Sequence, residues 1–287
     1  MKNCKPIASL LTSLAIVFSW TSVFAEDYSN HRPVLAYAEY ITAPDSGEAG
    51  GIEIFQQDIG NGQLSSDYVF ADPRRALFNG GSPGVNYSVN DANVSIDANL
   101  SNQAFWMRES VNTWTSQTCS NTGIVEVPHN GTVGVVETFF NGGGIPLTWG
   151  SDLTQVGFRS AAQFPYFAAN PNVLGVAFTL VWDDGNGNLT DIDNNGKSDV
   201  AFREIYYNDE FEWSDNGAPD IDFPTVAIHE VGHGLSAAHF GLIALKDGAL
   251  FAKPRTIMNA IYGGTLRELT GRDVASHCAN WAQWPMN

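Results

Sequence analysis

Positive charge is scarce in this chain of 287 residues: 14 Lys and Arg stand against 31 Asp and Glu, a formal net charge of −17. Such a surface repels the phosphates of nucleic acid and anionic membranes, so neither is an expected partner. No apolar run reaches the roughly 20 residues that a membrane-spanning helix needs. Internal repeats, heptads and low-complexity tracts are missing too, which excludes solenoids and coiled coils. Cysteines number three and histidines six. What is present is ordinary for a folded protein. Hydrophobic residues make up 44% and aromatic residues 12%, which excludes extended disorder.

The first 25 residues read as an export signal: Lys2 and Lys5 precede the apolar stretch Ile7 to Phe18, and Val23 and Ala25 are the small residues of a cleavage site. Cleavage after Ala25 leaves 12 basic against 31 acidic residues, a net of −19, in a protein expected to be secreted or periplasmic and free of the membrane. It also removes Cys4, so only Cys119 and Cys278 remain. Two thiols in an oxidising compartment imply one disulfide closing a long loop. Two separate buried thiols are the alternative.

Residues 26–84 are rich in Gly, Asp, Asn and Ser, with short apolar strings such as Val34-Leu35-Ala36-Tyr37. They suit a short β-rich unit, a pro-segment or an extension packed on the main domain, and Asn79-Gly80-Gly81-Ser82-Pro83-Gly84 reads as a linker. From Val85 to Asn287 the pattern is that of one α/β domain. Ala104, Phe105, Met107, Val111 and Trp114 have helical spacing within Ser101 to Gln117. Asn86 to Ile96 alternates in part like a strand, and Gly123 to Val127, Gly134 to Phe140, Val173 to Trp182 and Ala201 to Tyr207 also read as strands. A second helix starts near Phe223-Pro224-Thr225, where proline suits the first turn.

The chemistry concentrates in His229-Glu230-Val231-Gly232-His233-Gly234-Leu235-Ser236-Ala237-Ala238-His239. Residues i and i+4 share a helix face, so His229 and His233 can present two imidazoles to one ion. Neutral imidazole suits zinc at about 2.0–2.1 Å, with one position open in a catalytic site. Glu230, beside the first ligand, is placed to act as general base. Six more helical residues would carry His239 about 9 Å along the axis and onto another face. His239 joins the same ion only if the helix stops soon after His233 and the chain turns back, which Gly234 and the small run that follows make feasible.

This segment resembles the metzincin signature H-E-x-x-H-x-x-G-x-x-H, in its matrixin-like form, with Ser236 where the family usually has glycine. Thr256-Ile257-Met258-Asn259-Ala260-Ile261-Tyr262 resembles the Met-turn that follows. The resemblance spans roughly Val85 to Trp281. It implies an α+β catalytic domain: a twisted mixed sheet, a long helix, an active-site helix and a small C-terminal subdomain after the third histidine. It further implies Met258 as an apolar floor beneath the ligands and Tyr262 as part of the substrate-pocket wall. Where matrixins place a structural-zinc histidine this chain has Tyr206, so one catalytic Zn2+ is expected and no second. The pro-segment cysteine by which matrixins stay latent has no counterpart in residues 26–118, leaving steric cover, His31 or an aspartate for that role.

Asp191, Asp193, Asn195 and Asp199 place oxygen donors at positions 1, 3, 5 and 9 of an EF-hand-like loop with Gly196 at position 6. Phe202 stands where the closing acid belongs, so a candidate Ca2+ site and a plain polar turn remain alternatives. The expected activity is hydrolysis of peptide bonds in protein or peptide substrates. A secreted, non-catalytic binding protein stabilised by zinc or calcium is the alternative from another class. Within enzymes the alternative is a zinc amidase acting on cell-wall peptides.

Overall fold

The computed structural model describes residues 27–55, 66–76, 83–146 and 148–285. The expected export signal and most of the expected linker lie outside these. The chain opens with a long strand, β1 (Arg32–Thr42), which hairpins into β2 (Gly51–Ile54); β3 (Ser66–Asp67) and the short helix α1 (Pro73–Ala76) follow. Next come β4 (Asn86–Val89), α2 (Gln103–Thr115), β5 (Val125–Glu126), α3 (Val135–Phe140), β6 (Leu153–Arg159) and α4 (Pro165–Ala169). Two strands of eleven residues, β7 (Val173–Asp183) and β8 (Ser198–Asn208), lead through β9 (Trp213–Ser214) and β10 (Ile221–Asp222) into α5 (Phe223–Gly234). The hairpin β11 (Leu242–Lys246) with β12 (Ala249–Lys253) and the closing helix α6 (Gly271–Trp281) complete the chain.

The protein is thus mixed α/β, with one large mixed sheet and few helices. Its eight strands run β2-β1-β7-β8-β6-β4-β5, and β3 joins beside β8. Pairings from β8 through β6 and β4 to β5 are parallel, whereas β2/β1, β1/β7 and β7/β8 are antiparallel. Every residue of β7 is buried, as expected of a central strand covered on both faces. One face packs on α2 and α5 through Ile41, Leu174, Ala177, Ile205, Tyr207, Val226 and Val231. The other carries an aromatic layer of Phe164, Tyr166, Phe178 and Tyr206 under α3 and α4. Among the described residues, no helix is long and apolar enough to cross a membrane.

One expectation changes. Val135–Phe140 is helix, not strand: the buried Glu204 carboxylate accepts the Val135 and Val136 amides at 2.9 Å each and so anchors a helical first turn. Of the alternatives open for residues 26–84, the described part agrees with an extension packed on the main domain: β1 pairs with β7 from Arg32↔Asp183 to Thr42↔Val173. Cys119 and Cys278 form a disulfide that ties the loop after α2 to α6.

Candidate metal centre

The helix α5 is defined at both ends by side chains. Asp222 accepts the Thr225 amide at 3.1 Å as N-cap, and Pro224 occupies the first turn. At the other end Ser236 adopts φ +66°, a left-handed conformation that costs a non-glycine residue about 1 kcal/mol. Hydrogen bonds hold it there: Arg203 Nη1 donates to Ser236 Oγ at 3.0 Å, and Asn280 Nδ2 donates to its carbonyl at 2.6 Å. The Ala237 amide returns to the Gly232 carbonyl at 2.8 Å, reversing the chain. This brings His239 back beside the helix.

The three Nε2 atoms converge. His229 to His233 is 3.1 Å, His233 to His239 3.1 Å and His239 to His229 3.3 Å. Tetrahedral donors about 2.0–2.1 Å from one zinc ion lie roughly 3.3 Å apart, so the triangle fits such an ion. His229 Nδ1 meets the Ile257 carbonyl at 2.7 Å and His233 Nδ1 the Ala237 carbonyl at 2.8 Å. A carbonyl only accepts, so those Nδ1 atoms carry the protons and the Nε2 lone pairs face the shared point. Burial, then the neighbouring His233, hold the His229 and His239 imidazoles well below their ordinary pKa, in the neutral form a metal needs.

Glu230 is fully buried and neither of its carboxylate oxygens has a hydrogen-bond partner. Burial, and after it the nearby Glu39 carboxylate, push it well above the usual carboxylate range. Met258 is fully buried against Gly232, and its turn is fixed by Asp273, whose carboxylate accepts the Ile257 and Met258 amides at 3.1 Å each. Tyr262 sits at the N-terminus of α5, where its hydroxyl accepts the Asp222 amide at 3.0 Å.

Glu39, Gly175 and Asp273 are contributors that motif reasoning passes over. Glu39 Oε1 lies 3.2 Å from His233 Nδ1 without a hydrogen bond, because that N–H is directed at Ala237. A lone carboxylate inside the largely apolar run Val34 to Ile41 is its only sequence signal. For Asp273 the signal is the capping-box spacing Thr270-x-x-Asp273.

The acidic loop gathers Asp191, Asp193 and Asp199, with oxygens within 4.8 Å of one another. Their acceptors are already engaged: Asp191 takes the Asn195 and Gly196 amides at 3.0 and 2.8 Å, and Asp199 takes Arg74 Nη2 at 2.9 Å and Thr190 Oγ1 at 2.7 Å. Asn195 takes the Lys197 amide at 2.9 Å and donates its own Nδ2 to Asp67 and Asp193 at 3.1 Å. Burial pushes Asp193 up to about 6. Comparison of the chain with protein-family models and with curated proteins finds no match.

Proposed function

We propose that this chain is an exported zinc-dependent endopeptidase of the metzincin type, matrixin-like in its histidine motif and Met-turn. The observation that carries the reading is the triangle of Nε2 atoms with Glu230 one residue from the first of them. His229, His233 and His239 would hold the ion, which supplies Lewis acidity toward water and the scissile carbonyl. Glu230 takes a proton from the attacking water and returns it to the leaving amine. Met258 and the Ile257 carbonyl keep the imidazoles in place, and Tyr262 contributes to the wall of the side-chain pocket. Calcium in the acidic loop is not part of this proposal, because Arg74 already pairs with Asp199 and backbone amides take the Asp191 carboxylate.

The test is Glu230→Gln. The variant is expected to retain one zinc per chain by elemental analysis and to lose hydrolysis of a protein-derived peptide library by roughly 10²–10⁴-fold, the usual weight of a general base. Near-normal turnover in that variant would defeat the assignment. Equal loss of metal and activity would recast Glu230 as a structural residue.

A further inference from the structure

Between His239 and Met258 the chain leaves the histidine cluster as a ribbon. Its strands β11 and β12 form a two-stranded sheet of their own, paired from Leu242↔Lys253 to Lys246↔Ala249. Among the described residues no third strand joins either edge. The base of the ribbon is fixed: the Phe240 amide donates to the Met258 carbonyl at 2.6 Å, and Asn259 Nδ2 donates to the Phe240 and Pro254 carbonyls at 2.7 and 3.1 Å. Beyond that base it stands open to water. Every residue of β11 is exposed, Leu242 at 79% and Leu245 at 69%. Two strands alone are marginal in water, and aliphatic side chains left exposed along an unpaired edge mark a binding surface.

Charge distinguishes the ribbon from the rest of the molecule. Most cations elsewhere pair with a carboxylate, as Arg74, Arg108, Arg159 and Arg267 do. Lys246, Lys253, Arg255 and Arg272 have no ion pair among the described residues, and all four lie on the ribbon or at its base. Lys253 sits over the Phe251 ring at 5.0 Å and Arg272 over the Phe240 ring at 5.6 Å. Arg255 donates to the Thr265 carbonyl at 2.6 Å and lines a cavity with Ile257 and Tyr262, which carries the positive charge from the ribbon to the Met258 turn. Asp247 in the turn is the one acid between His239 and Met258. The register sorts these side chains: Leu242, Lys246, Phe251 and Lys253 share one face, Ile243, Leu245 and Leu250 the other. A strand added along an edge would meet cations with every second residue and aliphatic groups with those between. Resting on the peptidase reading, we propose that the β11–β12 ribbon recruits substrate, adding to its edge an extended segment in which acidic and aliphatic residues alternate. Its base at Met258 then holds that segment close to the histidine cluster. A lipid surface is the poorer occupant, because the tip Lys246-Asp247-Gly248 is charged and the chain as a whole carries −17.

The test uses the zinc-loaded full chain and fluorogenic peptides that share one core. Each carries an added strand of about six residues, alternating Leu with Glu in one peptide and Leu with Lys in the other. The glutamate version is expected to show a kcat/KM roughly tenfold above the lysine version, an advantage that fades as salt rises from about 0.05 to 0.5 M. Combining Lys246→Glu with Lys253→Glu should abolish or reverse the preference, with turnover of the bare core and zinc content unchanged. Leu245→Asp, on the other face, should weaken both extended peptides and spare the core. The labelled extensions alone, followed by fluorescence anisotropy, read binding apart from turnover. Tighter binding of the glutamate extension without hydrolysis of any core upholds the ribbon site and overturns the peptidase reading. Equal behaviour of the two extensions, or a preference that survives the charge reversal, overturns the ribbon site whether or not the core is cleaved. With no peptide preference, binding to phosphatidylglycerol vesicles that the charge reversal removes overturns it in favour of lipid. Self-association removed by the same reversal, again with no peptide preference, overturns it in favour of a second copy of this chain.

Discussion

Two glycines set how closely the rest of the fold approaches α5. A Cβ at Gly175 would stand 2.8 Å from Glu230 Cγ and 3.0 Å from its Oε1, closer than packed atoms tolerate. At Gly232 it would collide with Met258 Sδ and stand 2.7 Å from a Trp114 ring carbon. Gly175 therefore leaves Glu230 its room, and Gly232 lets the Met258 turn and α2 close on the helix, where Trp114 Nε1 donates to the Ile228 carbonyl at 2.7 Å. Gly175→Ala is predicted to displace Glu230 by a fraction of an ångström while leaving the imidazoles alone. Misplacement on that scale costs up to about 100-fold. Measured on the form that turns over peptide, kcat/KM should fall roughly 10–100-fold with one zinc retained; wild-type turnover would show that the carboxylate has other room. Ser236 illustrates the reverse situation, a strained residue kept because its hydroxyl partners the buried Arg203.

At the scale of elements, α6 supports the histidine cluster through the Ile257-Met258 turn. Its capping box uses Asp273, and the same carboxylate takes the Ile257 and Met258 amides, so one side chain joins a helix terminus to the turn that orients His229. Asp273→Ala removes a cap worth about 1 kcal/mol and strands two buried amides at about 1–3 kcal/mol each, roughly 3–7 kcal/mol of destabilisation before the site relaxes. Zinc affinity should drop roughly 10–100-fold through the lost support of His229. A lowered melting temperature with unchanged affinity in a chelator competition would separate the cap from the metal. Much of this layer was legible in advance. The helical spacing around Trp114, the proline start of α5 and the buried run of β7 all come from local pattern, and the turn that Gly234 and Ser236 must make follows from the reach of His239. The helix α3 was not legible, because its apolar Val135-Val136 and Phe139-Phe140 pairs suit a strand equally well. Glu204, 68 residues onward, decides between them. The place of β1 in the main sheet was hidden for the same reason: an apolar string names a strand but not its neighbour.

For the whole molecule, acid stability is set by buried groups pulling in opposite directions. Burial raises the Glu204 and Asp199 carboxyls, so the folded state takes up their protons first and gains stability as pH falls. His277 works against this. It lies between Trp114 and Trp281, next to the disulfide, with Nε2 2.7 Å from Ser120 Oγ and Nδ1 unpartnered, and burial lowers its pKa from 6.5 to about 4. Above pH 6.5 the imidazole is neutral in both states and costs nothing. As pH falls from 6.5 to about 4 the unfolded chain binds the proton and the folded chain does not, so stability drops across that window. At 1.36 kcal/mol per pH unit the loss approaches about 3 kcal/mol near pH 4, or roughly 5–10 °C in melting temperature for a domain of this size. His277→Gln keeps a polar side chain and removes the titration. Metal-free wild type and variant should therefore differ by less at pH 4.5 than at pH 7.5, with the wild type losing its advantage on acidification. The comparison in metal-free protein cancels the contribution of His229, His233 and His239, which both proteins share. A difference in melting temperature that stays constant between the two pH values would place the acid-labile group elsewhere in the fold.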